Sequence, residues 1–375
     1  LDKLPPPILA ILRMAVFQSL FCHQVTHPAM VHTSVELAKG RGHAGLARMV
    51  NAILRRAPQS LEDIPLPDPA EQPLQYLRLR YSMPKWLIRE WIEAHGAEQA
   101  HALCAASIEE APLTIRVNRA RTTPEDLTRK LEAAGFVLRP LPPVEEAFVV
   151  EGGTGALLRS KAFLEGLFTL QDVASMLPAH LMQPKPGERV LDMCAAPGGK
   201  AAHMAELAEG QAQIVAMEPS RKRMYRMLDT FDRLGTPGIQ VLRGNGMAPP
   251  FPEGAFDAVL VDAPCSGLGT LRRHPDLKWH MDPEKIEELA AKQTALLRSA
   301  IRLCKNGGRV VYSVCTFGPR ETQHVIQAVL ADGTVAPEDG PELLNQWRLD
   351  NGEYQTAPTP GAWDGFFLTR LRKVS

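Results

Sequence analysis

The spacing of apolar residues changes period along this chain. In residues 1–57 it is helical. Ile8, Ile11, Leu12, Ala15, Val16 and Phe17 share one stripe, the pattern resumes over residues 31–39, and Gly40 is a stop. Leu46, Met49, Val50, Ile53 and Leu54 then mark a further amphipathic helix, with Arg48, Arg55 and Arg56 off its stripe. A small helical bundle is expected. Prolines at 58, 65, 67, 69 and 73 predict a stiff, extended linker and a boundary. Residues 74–160 mix periods. A helix follows Pro84, with Trp86, Leu87, Trp91 and Ile92 on one side and Gly96 as its stop, and a second helix covers 97–107. A strand is predicted at 113–117, and Thr123 caps a helix that ends before Gly135. Short strands are predicted at 136–138 and 148–150, which makes this a small α/β domain. Trp86 and Trp91 are expected in its core rather than stacked on bases.

From about Phe168 the pattern alternates strand and helix. Strands are predicted at 189–192, 214–217, 239–242, 256–261, 309–313 and 366–371, and helices at 171–182, 199–208, 221–234, 283–303 and 321–330. Such alternation implies a mostly parallel sheet covered on both faces, with ligands beyond the carboxyl ends of its strands.

A chain of 375 residues has room for two or three domains, and 45% hydrophobic with 22% charged residues describes an ordinary soluble globular protein. No apolar run is long enough to span a bilayer and no signal peptide opens the chain. It starts at Leu1, and the start reads as the middle of a longer protein. Net charge is zero, so nothing draws the whole molecule to a polyanion. The distribution changes that picture. Residues 37–57, 77–89 and 298–320 carry five, four and five basic residues and no acid, while 331–353 is acidic. One such run is ordinarily a solvated helix face. Three in a neutral chain point to a basic track for a polyanion. The six cysteines form no CxxC pair, so no metal site is expected and a reduced, cytoplasmic protein is. Cys22, Cys104 and Cys304 are expected to be inert.

The stretch VLDMCAAPGGK, residues 190–200, reads as strand, glycine-rich turn and helix start. It matches neither GxGxxG nor GxxxxGK[ST], which turns the expectation away from a nucleoside triphosphate and toward an adenosyl group carrying an amino acid. Polar residues fall at successive strand ends. They are Asp192, Glu218 for ribose hydroxyls, Asn245 for an adenine edge, Asp262, and Ser313 with Cys315. Each alone would pass as a cap or a solvated end.

Two resemblances follow. LPPPILAILRMAVFQSLF and SVELAKGRGHAGLARMVNAILRR resemble the later part of a NusB-like RNA-binding domain. LDMCAAPGGK, Glu218, DAPCSGLGTLRRHPDLKW, SVCTF and DGFFLTRL resemble the RNA cytosine-C5 methyltransferases of the RsmB/Sun family, and most the RsmB branch that acts on small-subunit ribosomal RNA. The resemblance covers nearly the whole chain. It implies an α/β fold with a Rossmann-like, seven-stranded methyltransferase sheet, a small α/β RNA-recognition domain before it and a partial all-α NusB-like segment in front. The corresponding boundaries are 1–57, linker 58–73, 74–160 and 161–375. It implies S-adenosyl-L-methionine held by Cys194, Ala195, Ala196, Pro197, Gly198, Gly199, Lys200, Glu218, Arg223, Asn245 and Asp262. Cys315 is then the nucleophile toward C6 of cytosine and Cys265 assists release. Asp262 bonds the base at N3 and its amino group, and Lys200 reaches toward the target or the cofactor carboxylate. Ribosomal RNA is the implied partner of a monomer that avoids membranes. Methylation of another RNA such as tRNA, a DNA cytosine methyltransferase and a non-catalytic assembly factor are the alternatives. Two positions depart from the family pattern. Val314 stands where Thr is usual and Asn245 where Asp is usual.

Overall fold

A computed structural model describes residues 4–41, 44–152, 154–236, 238–358 and 363–375. Residues 1–3 and 42–43 of the expected helical segment lie outside the described residues. The chain divides into two units, Leu1–Arg80 and Tyr81–Ser375.

The first unit contains helices α1 (Pro6–Phe21), α2 (His27–Lys39), α3 (Ala44–Leu54) and α4 (Pro73–Arg80). Prolines open α1 and α2, where a missing N–H leaves no helical bond unmade. Ile8, Leu12, Met30, Val50 and Leu54 bury one core. The predicted stripe was too wide, because Phe17 is 57% and Ile53 42% exposed and both turn away from that core. The linker is not wholly extended. It holds a single turn at Leu61–Asp63, closed by reciprocal Ser60 and Asp63 bonds.

In the second unit α5 (Lys85–Ala106) joins the two predicted helices across a kink at Gly96, whose φ of 81° only glycine adopts readily. Trp91 is buried and meets Phe317 at 5.7 Å between ring centroids, and Trp86 is half-buried. Next come β1 (Thr114–Val117), α6 (Pro124–Ala133), β2 (Val137–Leu141), β3 (Val144–Glu151), α7 (Thr154–Leu157), α8 (Lys161–Leu164) and β4 (Phe168–Leu170). Thr123 caps α6 by accepting from Asp126 N. The strands form an antiparallel sheet in the order β2-β3-β1-β4, whose last strand lies beyond residue 160.

The remainder is α9 (Val173–Met182), β5 (Arg189–Asp192), α10 (Gly199–Leu207), β6 (Gln213–Met217), α11 (Arg221–Leu234), β7 (Ile239–Leu242), β8 (Phe256–Asp262), α12 (Leu277–His280), α13 (Pro283–Leu303), β9 (Cys304–Val314), α14 (Gln323–Leu330), β10 (Val335–Pro337), β11 (Tyr354–Thr356) and β12 (Phe366–Lys373). Its sheet runs β10-β12-β9-β8-β5-β6-β7, with β11 on β12. The strands from β9 to β7 are parallel, and β12 is antiparallel to β9. Alternate residues of one strand serve opposite faces. Val190 and Leu260 pack toward α9 and α10, while Leu191 and Val261 pack toward α13 and α14. The sheet has eight strands rather than seven. The reading passed over β10 and β11, of three residues each, because neither is long enough to show a period.

Arg116 on β1 links the two sheets and is fully buried. It donates to the Gly199 carbonyl at 2.7 Å, to Glu206 at 2.7 Å and to Gln171. Breaking such a buried ion pair by removing one partner costs about 3–5 kcal/mol.

Candidate active site

The parallel strands deliver their carboxyl ends to one edge. Asp192 ends β5 and is fully buried, and among the described residues neither of its carboxylate oxygens has a hydrogen bond of good geometry, the Cys194 amide being its polar neighbour. Burial, then the charge of Asp262, pushes its pKa up to about 7. The turn that follows reaches α10 through Gly198, whose φ is 103°. A Cβ there would lie 2.8 Å from the Phe231 ring, so close packing and backbone conformation both require glycine. The amide groups at the start of α10 are free to face a ligand. Glu218, past β6, is buried and accepts from Ser220 N at 2.9 Å. Arg223 lies 3.5 Å from Glu218 and donates to the Ala196 carbonyl at 3.1 Å, so it ties the turn to the next strand end. Asn245 is exposed, and its side-chain oxygen accepts from Met247 N at 3.0 Å. The Cys194 thiol is pushed up to about 12 by burial and then by Asp192, as suits an inert filler of the turn.

Cys265 and Cys315 are brought together. They come from the loops after β8 and β9, and their sulfurs stand 2.9 Å apart. Both are free thiols. Asp262, at the end of β8, pairs with Lys200 Nζ at 2.8 Å and accepts from Ser313 Oγ at 2.8 Å. Burial, the largest single influence, would lower the Lys200 pKa, but the charge and hydrogen bond of Asp262 together with the charges of Cys315 and Asp192 outweigh it, and the net shift is upward. The Lys200 ammonium also lies 5.2 Å from the centroid of the Phe366 ring. The thiol of Cys265 is raised by its hydrogen bond to Cys315, by burial and by nearby negative charge, so it keeps its proton. Lys200 is a cation whose charge interacts with Cys315. Cys104 and Cys304 are buried, and burial raises them to about 12 and about 11, as inert thiols should be.

A cleft of about 420 Å³ opens on this edge, lined by Asp192, Pro197, Lys200, Asp262, Cys315 and Phe366 among others. Ala195, Ala196, Gly199 and Cys194 line it too, whereas Glu218, Arg223 and Asn245 do not. The orphaned Asp192 carboxylate, the buried Glu218 carboxylate and the glycine turn fit a cationic amino acid joined to a ribose.

The sequence reading missed the wall of the cleft. Asp364 accepts from Arg272 Nε and Arg273 Nε, each at 2.6 Å, and Arg273 also donates to Asp172 at 2.9 Å. Arg272 and Arg273 stand as a pair in the motif LRR, and only that doublet hinted at them. It also missed Glu321, the first acid after the basic run 298–320, which is buried against the Cys265 loop. Four of the five basic residues of that run are ion-paired within the protein. Arg298, Lys305, Arg309 and Arg320 pair with Asp332, Asp257, Glu188 and Glu287 from distant parts of the chain.

Among the described residues, Glu146, His180 and His203 bring metal-capable atoms within 4.8 Å of one another. Their spacing is that of hydrogen bonds, since Glu146 Oε1 is 2.7 Å from His180 Nε2 and 2.8 Å from His203 Nε2. Ligand atoms around tetrahedral zinc would stand roughly 3.3 Å apart. Burial and then the Arg116 charge hold His203 at about 3, so it stays neutral. The cluster is a brace between β3 and helices α9 and α10. No helix of the described residues is long and apolar enough to cross a membrane.

Three family models match the chain. One described as 16S rRNA methyltransferase RsmB/F covers residues 179–372, a ferredoxin-like domain of RsmF/B-like methyltransferases covers 83–155, and the NusB family covers 1–59. A probable ribosomal RNA small subunit methyltransferase B of Bacillus subtilis is 34% identical, over 99% of this chain and 84% of its own. The ribosomal RNA small subunit methyltransferase B of Klebsiella pneumoniae is 33% identical, over 97% of this chain and 81% of its own. Among solved structures, PH0851 superposes with a TM-score of 0.81 at 29% identity, covering 99% of this chain and 83% of that one. A methyltransferase homologue from Pyrococcus horikoshii gives 0.69 at 27% identity, covering 80% and 99%. S-adenosyl-L-methionine is the cofactor of this methyltransferase family. With the full-length relatives and the methyltransferase sheet in agreement, the chain belongs to the RsmB/F family of 16S rRNA methyltransferases.

Proposed function

We propose that this protein methylates C5 of a cytosine in small-subunit ribosomal RNA through a covalent bond between Cys315 and C6. The observation that carries this reading is the 2.9 Å approach of two free thiols beside the Lys200–Asp262 pair. C5 of cytosine is a weak nucleophile. Attack of a Cys315 thiolate on C6 moves electron density onto C5 and makes it an enamine carbon. S-adenosyl-L-methionine supplies the electrophilic methyl group. As the adduct forms, N3 takes up a proton, Asp262 accepts hydrogen bonds from N3–H and from the amino group of the base, and Lys200 balances the charge that builds there. The C5 proton then leaves to a base, the C6–S bond breaks, and Cys315 is released. Cys265 sits where it can assist that elimination. The relatives named as small-subunit rRNA methyltransferases support the substrate class. The same reading takes 1–57 as an RNA-binding segment, 58–73 as a linker, 74–160 as an RNA-recognition domain and 161–375 as the catalytic domain of a cytoplasmic monomer.

Purified protein, labelled cofactor and small-subunit rRNA, followed by bisulfite sequencing, test this directly. Protection of a defined cytosine is expected, and transfer to no cytosine C5 would overturn it. Two further results are expected. Glu218→Ala should weaken cofactor binding by about 1–3 kcal/mol, since a charge-assisted bond to the ribose is lost. Unchanged affinity by calorimetry would remove Glu218 from the site. Arg48 and Arg55 are exposed on or just past α3. Replacing both by Ala should reduce the salt slope of RNA binding by about one to two, with cofactor affinity unaltered. An unaltered slope would return the run to a solvated face.

A further inference from the structure

We propose that Glu321 is a positioning residue that fixes the loop carrying Cys265 and keeps the two thiols in different roles. The inference rests on the reading of Cys315 as the attacking thiol. Glu321 closes a short turn, Pro319–Glu321, in the segment that follows Cys315, and is 1% exposed. Its Oε1 accepts from Ser266 N at 2.8 Å and from Gln293 Nε2 at 2.9 Å, and its Oε2 accepts from Ser266 Oγ at 2.5 Å. Gln293 Nε2 also donates to the Pro264 carbonyl at 2.9 Å. The residues on both sides of Cys265 are therefore held by one carboxylate and one amide. Tyr312 OH donates to the Glu321 carbonyl at 2.7 Å, which anchors the turn to β9.

The three donors to the carboxylate, one backbone amide and two side chains, are neutral, so they solvate it without supplying a counter-charge. The carboxylate charge sits beside Cys265. The groups acting on Cys265 are the Cys315 thiol, the Glu321 carboxylate and the Gly267 amide, with the Tyr312 hydroxyl also within electrostatic reach. The hydrogen bond to Cys315, burial and the two negative groups all disfavour a thiolate at Cys265. Cys265 then holds its proton and presents S–H to the Cys315 sulfur at 2.9 Å. Cys315 has the Cys265 thiol at 2.9 Å and lines the cleft together with Lys200. One buried acid thus supports the division of labour without touching the substrate.

The test uses the full chain without RNA. Iodoacetamide labelling of Cys265 and Cys315 is followed by peptide mass mapping from pH 6 to pH 10, in wild type and in Glu321→Gln. Glutamine keeps the shape and an acceptor for Ser266 N but removes the charge. The pH midpoint for Cys265 should fall by about one unit, so its labelling at fixed pH should rise about tenfold. A Cys265 profile in folded Glu321→Gln that superimposes on wild type would overturn the proposal. If that variant does not fold, Ser266→Ala decides. It removes the Oγ anchor and leaves the charge, so Cys265 labelling should rise severalfold at every pH with an unmoved midpoint. An unchanged rate there would overturn the proposal equally. Neither measurement involves methyl transfer, so an error in the proposed reaction shows separately, in the activity of Cys315→Ala.

Discussion

Cys315→Ala is expected to bind S-adenosyl-L-methionine with unaltered affinity and to transfer no methyl group to RNA, a loss of at least roughly a thousandfold. In the proposed mechanism the Cys315 sulfur is the atom that makes C5 nucleophilic. Ser313 Oγ is committed to Asp262, and Lys200 to the same carboxylate. The proposed cofactor contacts, in the turn after β5 and on Glu218, are made by other residues than Cys315, although Cys315 lines the same cleft as that turn, and this is why binding and transfer should separate. Calorimetry reports the first, and transfer of a labelled methyl group to RNA reports the second. A fully active Cys315→Ala protein would sink the covalent mechanism.

Cys265→Ala should do the opposite of stopping the reaction early. If Cys265 acts only after methyl transfer, the variant still attacks and methylates, then releases its RNA slowly. Blocking the later of two consecutive steps raises the species between them. The protein should accumulate joined to RNA, seen as a slower band on a denaturing gel, and turnover should fall while the first methyl transfer persists. Cys265→Ala also removes the thiol that stands 2.9 Å from Cys315, so the first transfer should be slower than in wild type. A band with Cys315→Ala and none with Cys265→Ala would mean that the two roles are exchanged.

Much of this site could be read from the chain because its chemistry sits at strand ends. A strand of buried Val, Leu and Ile that stops at an acid or a cysteine marks an edge, and the parallel order puts such edges side by side. Asp192, Asp262 and Cys315 became neighbours for that reason. What escaped the reading depends on contacts between residues far apart in sequence. Arg116 looks like any arginine in an alternating strand until β1 is placed against α10. Glu321 looks like a solvated acid until the Cys265 loop closes over it. The run from Arg298 to Arg320 looks basic because its acids, Asp332, Asp257, Glu188 and Glu287, are supplied by other elements. Local composition records none of these pairings. Phe17 shows the same limit in the helical unit, since a periodic pattern gives a stripe but not how much of it the neighbouring helices cover.

The buried arginine of β1 bears on how this molecule can be divided. A cut chosen where the period changes, near residue 160, would remove the partner of Glu206, strip a donor from the carbonyl that opens α10, and split β4 from its neighbours. The catalytic half would be left with a buried acid and no counter-charge. Modularity in sequence is therefore not modularity in stability here. A truncated catalytic fragment that folds poorly would report the loss of one inter-sheet arginine, and a shortened protein meant for assay should begin before β1.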